Sequence, residues 1–232
     1  DFEPHQLMMS ATPIPRTLAM SYFADMDISI INEMPPGRQS ITTKIFSSEK
    51  RNQILETINQ NCLNGNQVYW VCPLIEESET LQLETAEQTF HNLSNYFIKH
   101  KVGLIHGRLS SSDKKEIMEE FKKNKIKIIV ATTVIEVGVD VPNATLMVIE
   151  NAERMGLSQL HQLRGRIGRG DKKSICILLY QKKLSDIAKQ RIKIIYENID
   201  GFKIAEEDLR LRGPGELLGL RQSGLPSLRI AD

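Results

Sequence analysis

The run Ile128-Ile129-Val130-Ala131-Thr132-Thr133 opens residues 128–170, the stretch that decides the fold of this 232-residue chain. Four consecutive apolar residues followed by two hydroxyl residues are typical of a buried parallel strand whose carboxyl end opens into a polar loop. Ligands of such sheets bind outside the carboxyl ends of the strands. We therefore expect phosphate chemistry in the loop that begins at Thr132.

A second polar signature is Gln162-Leu163-Arg164-Gly165-Arg166-Ile167-Gly168-Arg169. On a continuous helix Gln162, Arg166 and Arg169 stand at i, i+4 and i+7, which predicts that they share one face. Arg suits phosphate because its planar fork donates two parallel hydrogen bonds and keeps its charge when desolvated. Gly165 and Gly168 each cost about 1 kcal/mol inside a helix, which indicates close backbone approach to a ligand or a facing lobe. The alternative is a solvated, Arg-rich helix end.

Composition limits the classes of function. The apolar content of 41% is ample for a buried core, and the formal net charge of +1 provides no global attraction to nucleic acid or membrane. Any contact with nucleic acid must therefore be local. Cys62, Cys72 and Cys176 form no C-x-x-C pair, which argues against a disulfide frame or a zinc site and predicts reduced core thiols in a cytosolic protein.

Neither a membrane span nor a signal peptide is visible. The longest plainly apolar run, residues 175–180, is far shorter than the roughly 18 residues that a span requires. We predict no membrane partner. Because the chain begins at Asp1 rather than Met, we also expect it to be part of a larger protein.

The hydrophobic pattern alternates strands and helices. Strands are predicted at 41–46, 68–72, 102–105, 126–130, 146–149 and 175–180. Helices are predicted at 48–63, 83–98 and 113–121, the last with a cap at Ser110, and a helical hairpin follows from about residue 184. This pattern predicts an α/β fold, a parallel sheet with helices on both faces. The breaker Pro35-Pro36-Gly37 marks a boundary, and we divide the chain into residues 1–34, 35–182 and 183–232.

The two signatures do not stand alone. Residues 131–140 resemble motif V of superfamily 2 helicases, and residues 162–169 resemble their motif VI. Ser10-Ala11-Thr12 resembles motif III. The residues that extend it, Pro13-Ile14-Pro15-Arg16-Thr17, resemble a smaller group of these proteins, namely the RecG family of branch-migrating DNA translocases and the related transcription-repair coupling factors. Residues 211–224 resemble their translocation motif, which follows a helical hairpin. The resemblance implies a RecA-like second motor lobe at 35–182, after the tail of a first lobe.

The resemblance also implies roles for individual residues. The expected catalytic residues are Gln162, Arg166 and Arg169, with the two arginines on the γ-phosphate of ATP. The expected nucleotide contacts are Gly138, Asp140, Arg166 and Arg169. The expected DNA contacts are Thr132, Thr133, Arg108, Arg212, Arg221 and Gln222. The expected residues for coupling between lobes are Ser10, Thr12 and Arg16.

The implied function is that of the second motor lobe of an ATP-dependent translocase acting on stalled forks and Holliday junctions in the bacterial cytoplasm, associated with the nucleoid. ATP and Mg²⁺ would be held mainly by a first lobe, since the chain has no G-x-x-x-x-G-K-[ST] and no Asp-Glu-x-His run. The expected partners are branched DNA, that first lobe and a wedge domain. We expect the chain alone neither to hydrolyse ATP appreciably nor to remodel DNA. The alternatives are a transcription-repair coupling translocase and a non-enzymatic RecA-like module that binds DNA.

Overall fold

The computed structural model describes residues 38–73, 79–132 and 140–212, with residues 7, 9, 29–31 and 33. The side chains of residues 79–82 and 212 lie outside that description. The strands are β1 (Ile41–Ser47), β2 (Gln67–Val71), β3 (Val102–Ile105), β4 (Ile128–Ala131), β5 (Ala144–Ile149) and β6 (Ser174–Tyr180). The helices are α1 (Arg51–Leu63), α2 (Glu79–Tyr96), α3 (Ser111–Lys122), α4 (Leu157–Arg164), α5 (Asp186–Glu197) and α6 (Gly201–Arg212). Short 3₁₀ turns lie at Ser48–Lys50 and Ala152–Arg154.

The six strands form one parallel sheet in the order β1-β6-β5-β2-β4-β3. At its centre, Trp70 of β2 stands opposite Val130 of β4 on one side and Val148 of β5 on the other. Every residue of β2, β4 and β5 is buried, because parallel strands joined by helical crossovers are covered on both faces. The predicted parallel α/β fold is confirmed.

Two hydrophobic cores lie on opposite faces of this sheet. On one face, Ile58 of α1 and Leu93 of α2 pack against the even-numbered residues of β2 and β4. On the other face, Phe121 of α3 and Leu160 of α4 pack against the odd-numbered residues of the same strands. The alternation within each strand follows from the two-residue period of its side chains. Each face of the sheet therefore buries a separate set of apolar side chains.

The helical hairpin that was predicted after the sheet is α5 and α6. Ile195 and Ile204, one from each helix, are 0% and 1% exposed within the same core as α3 and α4. Ser185 caps α5 by accepting the backbone N–H of Ala188 at 3.2 Å. The hairpin is therefore packed into the core of the sheet domain. The division of the chain at residues 34 and 182 stays a prediction.

Other local predictions agree closely with the structure. The predicted strand at 102–105 coincides with β3, whereas α2 begins at Glu79, four residues before the predicted start. Ser110 caps α3, since its hydroxyl accepts the N–H of Asp113 at 3.1 Å. All three cysteines are buried free thiols. Across the described residues, no helix combines the length and apolar character needed to cross a membrane.

Candidate functional site

The second signature forms a helix end followed by a turn. Helix α4 ends at Arg164, and Gly165 is its C-cap, with its N–H bonded to the His161 carbonyl at 3.0 Å. Gly168 has a φ of +71°, a left-handed conformation that an α-helix does not contain. The prediction that Gln162, Arg166 and Arg169 share one helix face is therefore wrong. Only Gln162 is helical, and the two arginines belong to residues 165–169, which we call the arginine turn.

Gly168 is required by contacts inside this domain. A Cβ atom at Gly168 would stand 2.9 Å from Cγ1 of Ile41 in β1, closer than real Cβ contacts allow. The left-handed φ adds a second reason for glycine, because L side chains are strained there. This internal contact is a sufficient reason for glycine at 168, and the expectation that the glycines allow approach to a ligand or a facing lobe stays a prediction. The lack of a side chain at Gly168 lets the turn lie directly on β1.

The arginine turn lies at the amino edge of the sheet. A Cβ atom at Gly170 would stand 3.0 Å from the carbonyl oxygen of Pro142, which lies two residues before β5. Strand β6 begins four residues after Gly170. Asp140, at the end of motif V, is exposed at the same edge. The sheet therefore brings together Arg166, Arg169 and Asp140, three residues that sequence reasoning assigned to nucleotide.

Tyr69 of β2 completes this cluster. It is 2% exposed, and its ring packs on Phe121 with ring centroids 5.0 Å apart. Burial raises the pKa of Tyr69 to about 12, although the charges of Arg169 and Arg166 lower it. The phenol is therefore neutral near pH 7. Sequence reasoning missed Tyr69, because an aromatic residue in a buried strand is indistinguishable from ordinary core.

Arg166 is half-buried beside another cation. Burial lowers its pKa, the charge of Arg169 lowers it further, and the Tyr69 phenol opposes both. Arg retains its proton in proteins, so Arg166 stays charged despite its burial. Two neighbouring guanidinium groups, one of them poorly hydrated, form a site that favours an anion with several acceptor oxygens. Phosphate has that chemistry, so the arginine turn fits the terminal phosphate of a nucleotide.

Arg164 is a functional residue that the sequence analysis missed. It is 3% exposed, and its guanidinium donates to the carbonyls of Ile195 at 2.7 Å and Asn198 at 3.0 Å, and to the Thr43 hydroxyl at 3.3 Å. It therefore satisfies the last carbonyls of α5 while bonding to β1. The signal was the spacing of Leu157, Leu160 and Arg164, which puts Arg164 on the apolar face of α4.

A second polar group lies at the opposite, carboxyl edge of the sheet. Thr132 follows β4, and the turn His106-Gly107-Arg108 follows the neighbouring strand β3. Thr132 is 4% exposed, yet among the described residues neither its hydroxyl nor His106 Nδ1 has a hydrogen-bond partner. Burial is the main cause that lowers the pKa of His106, which leaves the ring neutral near pH 7. Buried polar atoms without partners suit an external ligand, and Arg108 is exposed beside them.

The carboxyl edge also carries an ion pair that sequence reasoning missed. Arg51, at the start of α1, bonds to the carboxylate of Glu150, which directly follows β5. The Arg51 guanidinium lies 4.7 Å from the ring centroid of Trp70 in β2. This pair ties α1 to the ends of two central strands.

No group of His, Cys, Asp and Glu side chains in the described part of the chain could hold a metal ion.

Several predicted site residues lie outside the described residues. They are Ser10, Thr12, Arg16, Thr133, Gly138, Arg221 and Gln222, together with the side chain of Arg212. Their roles stay predictions. Of the remaining site residues, the structure gathers Arg166, Arg169 and Asp140 at one edge of the sheet and places Thr132 and Arg108 at the other.

Comparison with known families defines the class of protein. Residues 49–171 match the family described as "Helicase conserved C-terminal domain". That match covers more than half of the chain, and the chain belongs to this family of helicase domains. Residues 198–232 match the family "ATP-dependent DNA helicase RecG, domain 3, C-terminal".

The predicted resemblance to RecG is confirmed over the whole chain. The chain is 53% identical to the ATP-dependent DNA helicase RecG of Escherichia coli K12 and 52% identical to that of Haemophilus influenzae, over 232 residues in each case. Both alignments cover 100% of this chain and 34% of the relative. The chain therefore spans about a third of the length of these curated relatives. Such matches do not favour the coupling factor or the non-enzymatic module.

Solved structures support the same assignment. A structure described as RecG bound to a three-way DNA junction superposes with a TM-score of 0.77 at 45% sequence identity. The superposition covers 90% of this chain and 27% of the chain in that structure. The Mycobacterium smegmatis helicase Lhr, bound to single-stranded DNA and AMP-PNP, superposes at 0.58 with 15% identity. It covers 82% of this chain and 25% of that protein, and it supports the RecA-like helicase fold alone.

Proposed function

We propose that this chain is the second motor lobe of an ATP-dependent double-stranded DNA translocase that remodels stalled replication forks and Holliday junctions. The observation that carries the proposal is the arginine turn, where Arg166 and Arg169 lie next to each other beside the neutral phenol of Tyr69. The membership of the helicase family supports it. The intact protein would combine this lobe with a first motor lobe and a wedge domain, in the bacterial cytoplasm and near the nucleoid.

The chemical role of the arginine turn is charge stabilisation. Phosphoryl transfer spreads negative charge over the oxygens of the transferred group, and catalysis depends mainly on positioning and electrostatics. ATP would supply that group and Mg²⁺ would neutralise part of its charge, and both would be held mainly by the first lobe. Arg166 and Arg169 donate hydrogen bonds to the γ-phosphate oxygens as this charge develops. Asp140 lies at the same edge as these arginines, and the roles of Gln162 and Gly138 are assigned by resemblance alone.

Arg166 is the better candidate for the essential group. Burial is the first cause that lowers its pKa, so the group is partly desolvated before any phosphate arrives. A desolvated guanidinium loses less hydration when it contacts the transition state. An arginine finger of this kind contributes about 10³ to 10⁵ in rate.

We assign DNA phosphate contacts to the carboxyl edge. The buried Thr132 hydroxyl has no partner in the described structure, and Arg108 is exposed on the turn after the next strand. Hydroxyl and guanidinium contacts to phosphate fix the position of a duplex without reading its sequence. Resemblance alone adds Thr133, Arg212, Arg221 and Gln222 to this group.

The fold connects the arginine turn to the helical hairpin through Arg164. Its guanidinium joins the helix that carries the arginine turn to the last carbonyls of α5 in the hairpin. A displacement of the turn on nucleotide binding would therefore be transmitted to the hairpin. On the side of the first lobe, we assign coupling to Ser10, Thr12 and Arg16 by resemblance.

The test uses the full-length protein with fork DNA. Arg166→Ala should lower the kcat of ATP hydrolysis by about 10³ or more while fork binding stays within twofold. Arg154→Ala removes an exposed arginine twelve residues upstream and serves as the matched control, with wild-type turnover expected. Near-normal turnover by Arg166→Ala would reject the proposal. The 232-residue chain alone should show no steady turnover, and a pure preparation that hydrolyses ATP would contradict the assignment of ATP to a separate lobe.

A further inference from the structure

Arg38 contacts the arginine turn from outside both polar signatures. Its guanidinium donates to the carbonyl oxygen of Gly165 at 2.9 Å in a half-buried position. In sequence the two residues are 127 positions apart. Gly165 directly precedes Arg166, so the carbonyl that Arg38 holds belongs to the peptide bond whose nitrogen is that of Arg166. Arg38 therefore fixes the first peptide of the turn.

A second contact fixes the other end of the turn. A Cβ atom at Gly168 would lie 2.9 Å from Cγ1 and 3.3 Å from Cδ1 of Ile41, and 3.5 Å from the carbonyl oxygen of Gln39. Residues 38–41, which we call the lead-in segment, thus touch the turn at Gly165 and at Gly168. Arg166 lies between these two points of contact, so the segment supports the backbone on both sides of it.

The charges around Arg38 have both signs. Burial lowers the pKa of His161 first, the charge of Arg164 lowers it further, Asp200 raises it, and Arg38 lowers it again. Arg38 therefore lies near His161, at the end of α4. The carbonyls at the end of a helix carry partial negative charge, which favours a guanidinium at the Gly165 carbonyl.

We infer that Arg38 is a positioning residue for the arginine turn, through which the segment that leads into this lobe sets the location of Arg166. Arg38 directly follows Pro35-Pro36-Gly37, where we place the boundary between the two lobes. A movement of that boundary reaches the arginine turn through the lead-in segment, in which the Arg38 guanidinium holds the Gly165 carbonyl. Lobe closure and the placement of Arg166 are therefore linked. The inference rests on the proposed function, because it acts through Arg166.

The experiment is a double-mutant cycle in the full-length protein with fork DNA and ATP. Arg38→Ala should lower kcat by about 10- to 100-fold, since displacement of a catalytic group by about 1 Å costs about 100-fold. The KM for ATP, fork affinity and the unfolding temperature should stay close to wild type. Arg38→Lys should recover much of the loss, because an ammonium group also donates to the Gly165 carbonyl. The control Arg154→Ala should behave as wild type.

The cycle separates positioning from independent action. In an Arg166→Ala background, Arg38→Ala should cause no further loss of the residual kcat, because the group that it positions is gone. Faster amide hydrogen exchange across residues 165–169 in Arg38→Ala is the expected structural signature.

Two results would overturn the inference while the proposed function stands. The first is a wild-type kcat for Arg38→Ala while Arg166→Ala is inactive. The second is that Arg38→Ala lowers kcat by the same factor in the wild-type protein and in the Arg166→Ala variant. Wild-type turnover by Arg166→Ala would reject the proposed function and this inference together.

Discussion

Replacement of Arg164 by alanine tests the claim that this side chain holds the hairpin on the sheet domain. Arg164 is 3% exposed and donates to the carbonyls of Ile195 and Asn198 and to the Thr43 hydroxyl. Alanine removes all of these donors at once. Ile195 is 0% exposed, so water cannot easily replace the donor to its carbonyl. The variant should therefore lose stability and loosen the last turn of α5.

The expected magnitude follows from the network. A hydrogen bond to a charged group contributes about 1.5 to 3 kcal/mol, and bonds to one guanidinium are not additive. A buried acceptor left without its donor costs about 1 to 3 kcal/mol. Because alanine takes this donor from the carbonyls of both Ile195 and Asn198, we expect a loss of about 3 to 5 kcal/mol. For a chain of this size, each kcal/mol lowers the unfolding temperature by about 2 to 4 °C. The shift should therefore be about 6 to 20 °C.

Urea unfolding of the chain, followed by circular dichroism, measures this loss directly. Arg164→Lys keeps a charge but lacks the fork, so it should recover less than half of the lost free energy. Arg154→Ala, at an exposed arginine, should stay within about 0.5 kcal/mol of wild type. An Arg164→Ala variant that unfolds within about 1 kcal/mol of wild type would refute the reasoning, since the hairpin would not depend on these bonds.

Two further predictions concern stability. Gly168→Ala should destabilise the chain by about 2 kcal/mol or more in urea, because it combines a left-handed φ with a Cβ atom 2.9 Å from Ile41. The control is Gly107→Ala, whose Cβ atom would have no atom within 4 Å and which should cost far less. Equal losses from the two variants would contradict the account. Burial raises the pKa of Cys62 to about 11 and that of Cys176 to about 12, from an ordinary value of 9.0. The contribution of each thiol to stability should therefore be fully present below pH 9 and should be lost as the pH rises to about 11 for Cys62 and about 12 for Cys176. At pH 10 the loss should be about 1 kcal/mol per thiol, and a urea midpoint that does not change between pH 8 and pH 10 would disprove it.

The sheet was predictable because its signals are local. Runs such as 128–131 are continuously apolar, and only strands buried on both faces carry that pattern. The motif order likewise identified Arg166 and Arg169 before any geometry was known. The cap at Ser110 followed from the preference of hydroxyl residues for helix starts. Such features depend on residues close together in the sequence.

The errors arose where distant residues decide the structure. Helix α4 ends at Arg164, and the turn beyond it lies on Ile41, a contact that no local pattern contains. Arg164 was overlooked because charged residues are almost never fully buried unless paired, and its partners lie in β1 and α5. Tyr69 was overlooked because its hydroxyl matters only next to the arginine turn. The sequence therefore singled out Arg166 and Arg169, whose roles stay predictions, and it missed the residues and contacts that arrange them.

The central claim is that Arg166 stabilises the transition state of phosphoryl transfer. Its most direct test compares the affinities of the full-length protein and its Arg166→Ala variant for ATP and for ADP–aluminium fluoride, a transition-state analogue, with Mg²⁺ and fork DNA present. An interaction made mainly in the transition state strengthens binding of the analogue and leaves binding of the substrate nearly unchanged. The account predicts that Arg166→Ala weakens binding of the analogue by about 10³ and that ATP affinity stays within a few-fold. Equal weakening of both ligands, or of neither, would contradict it.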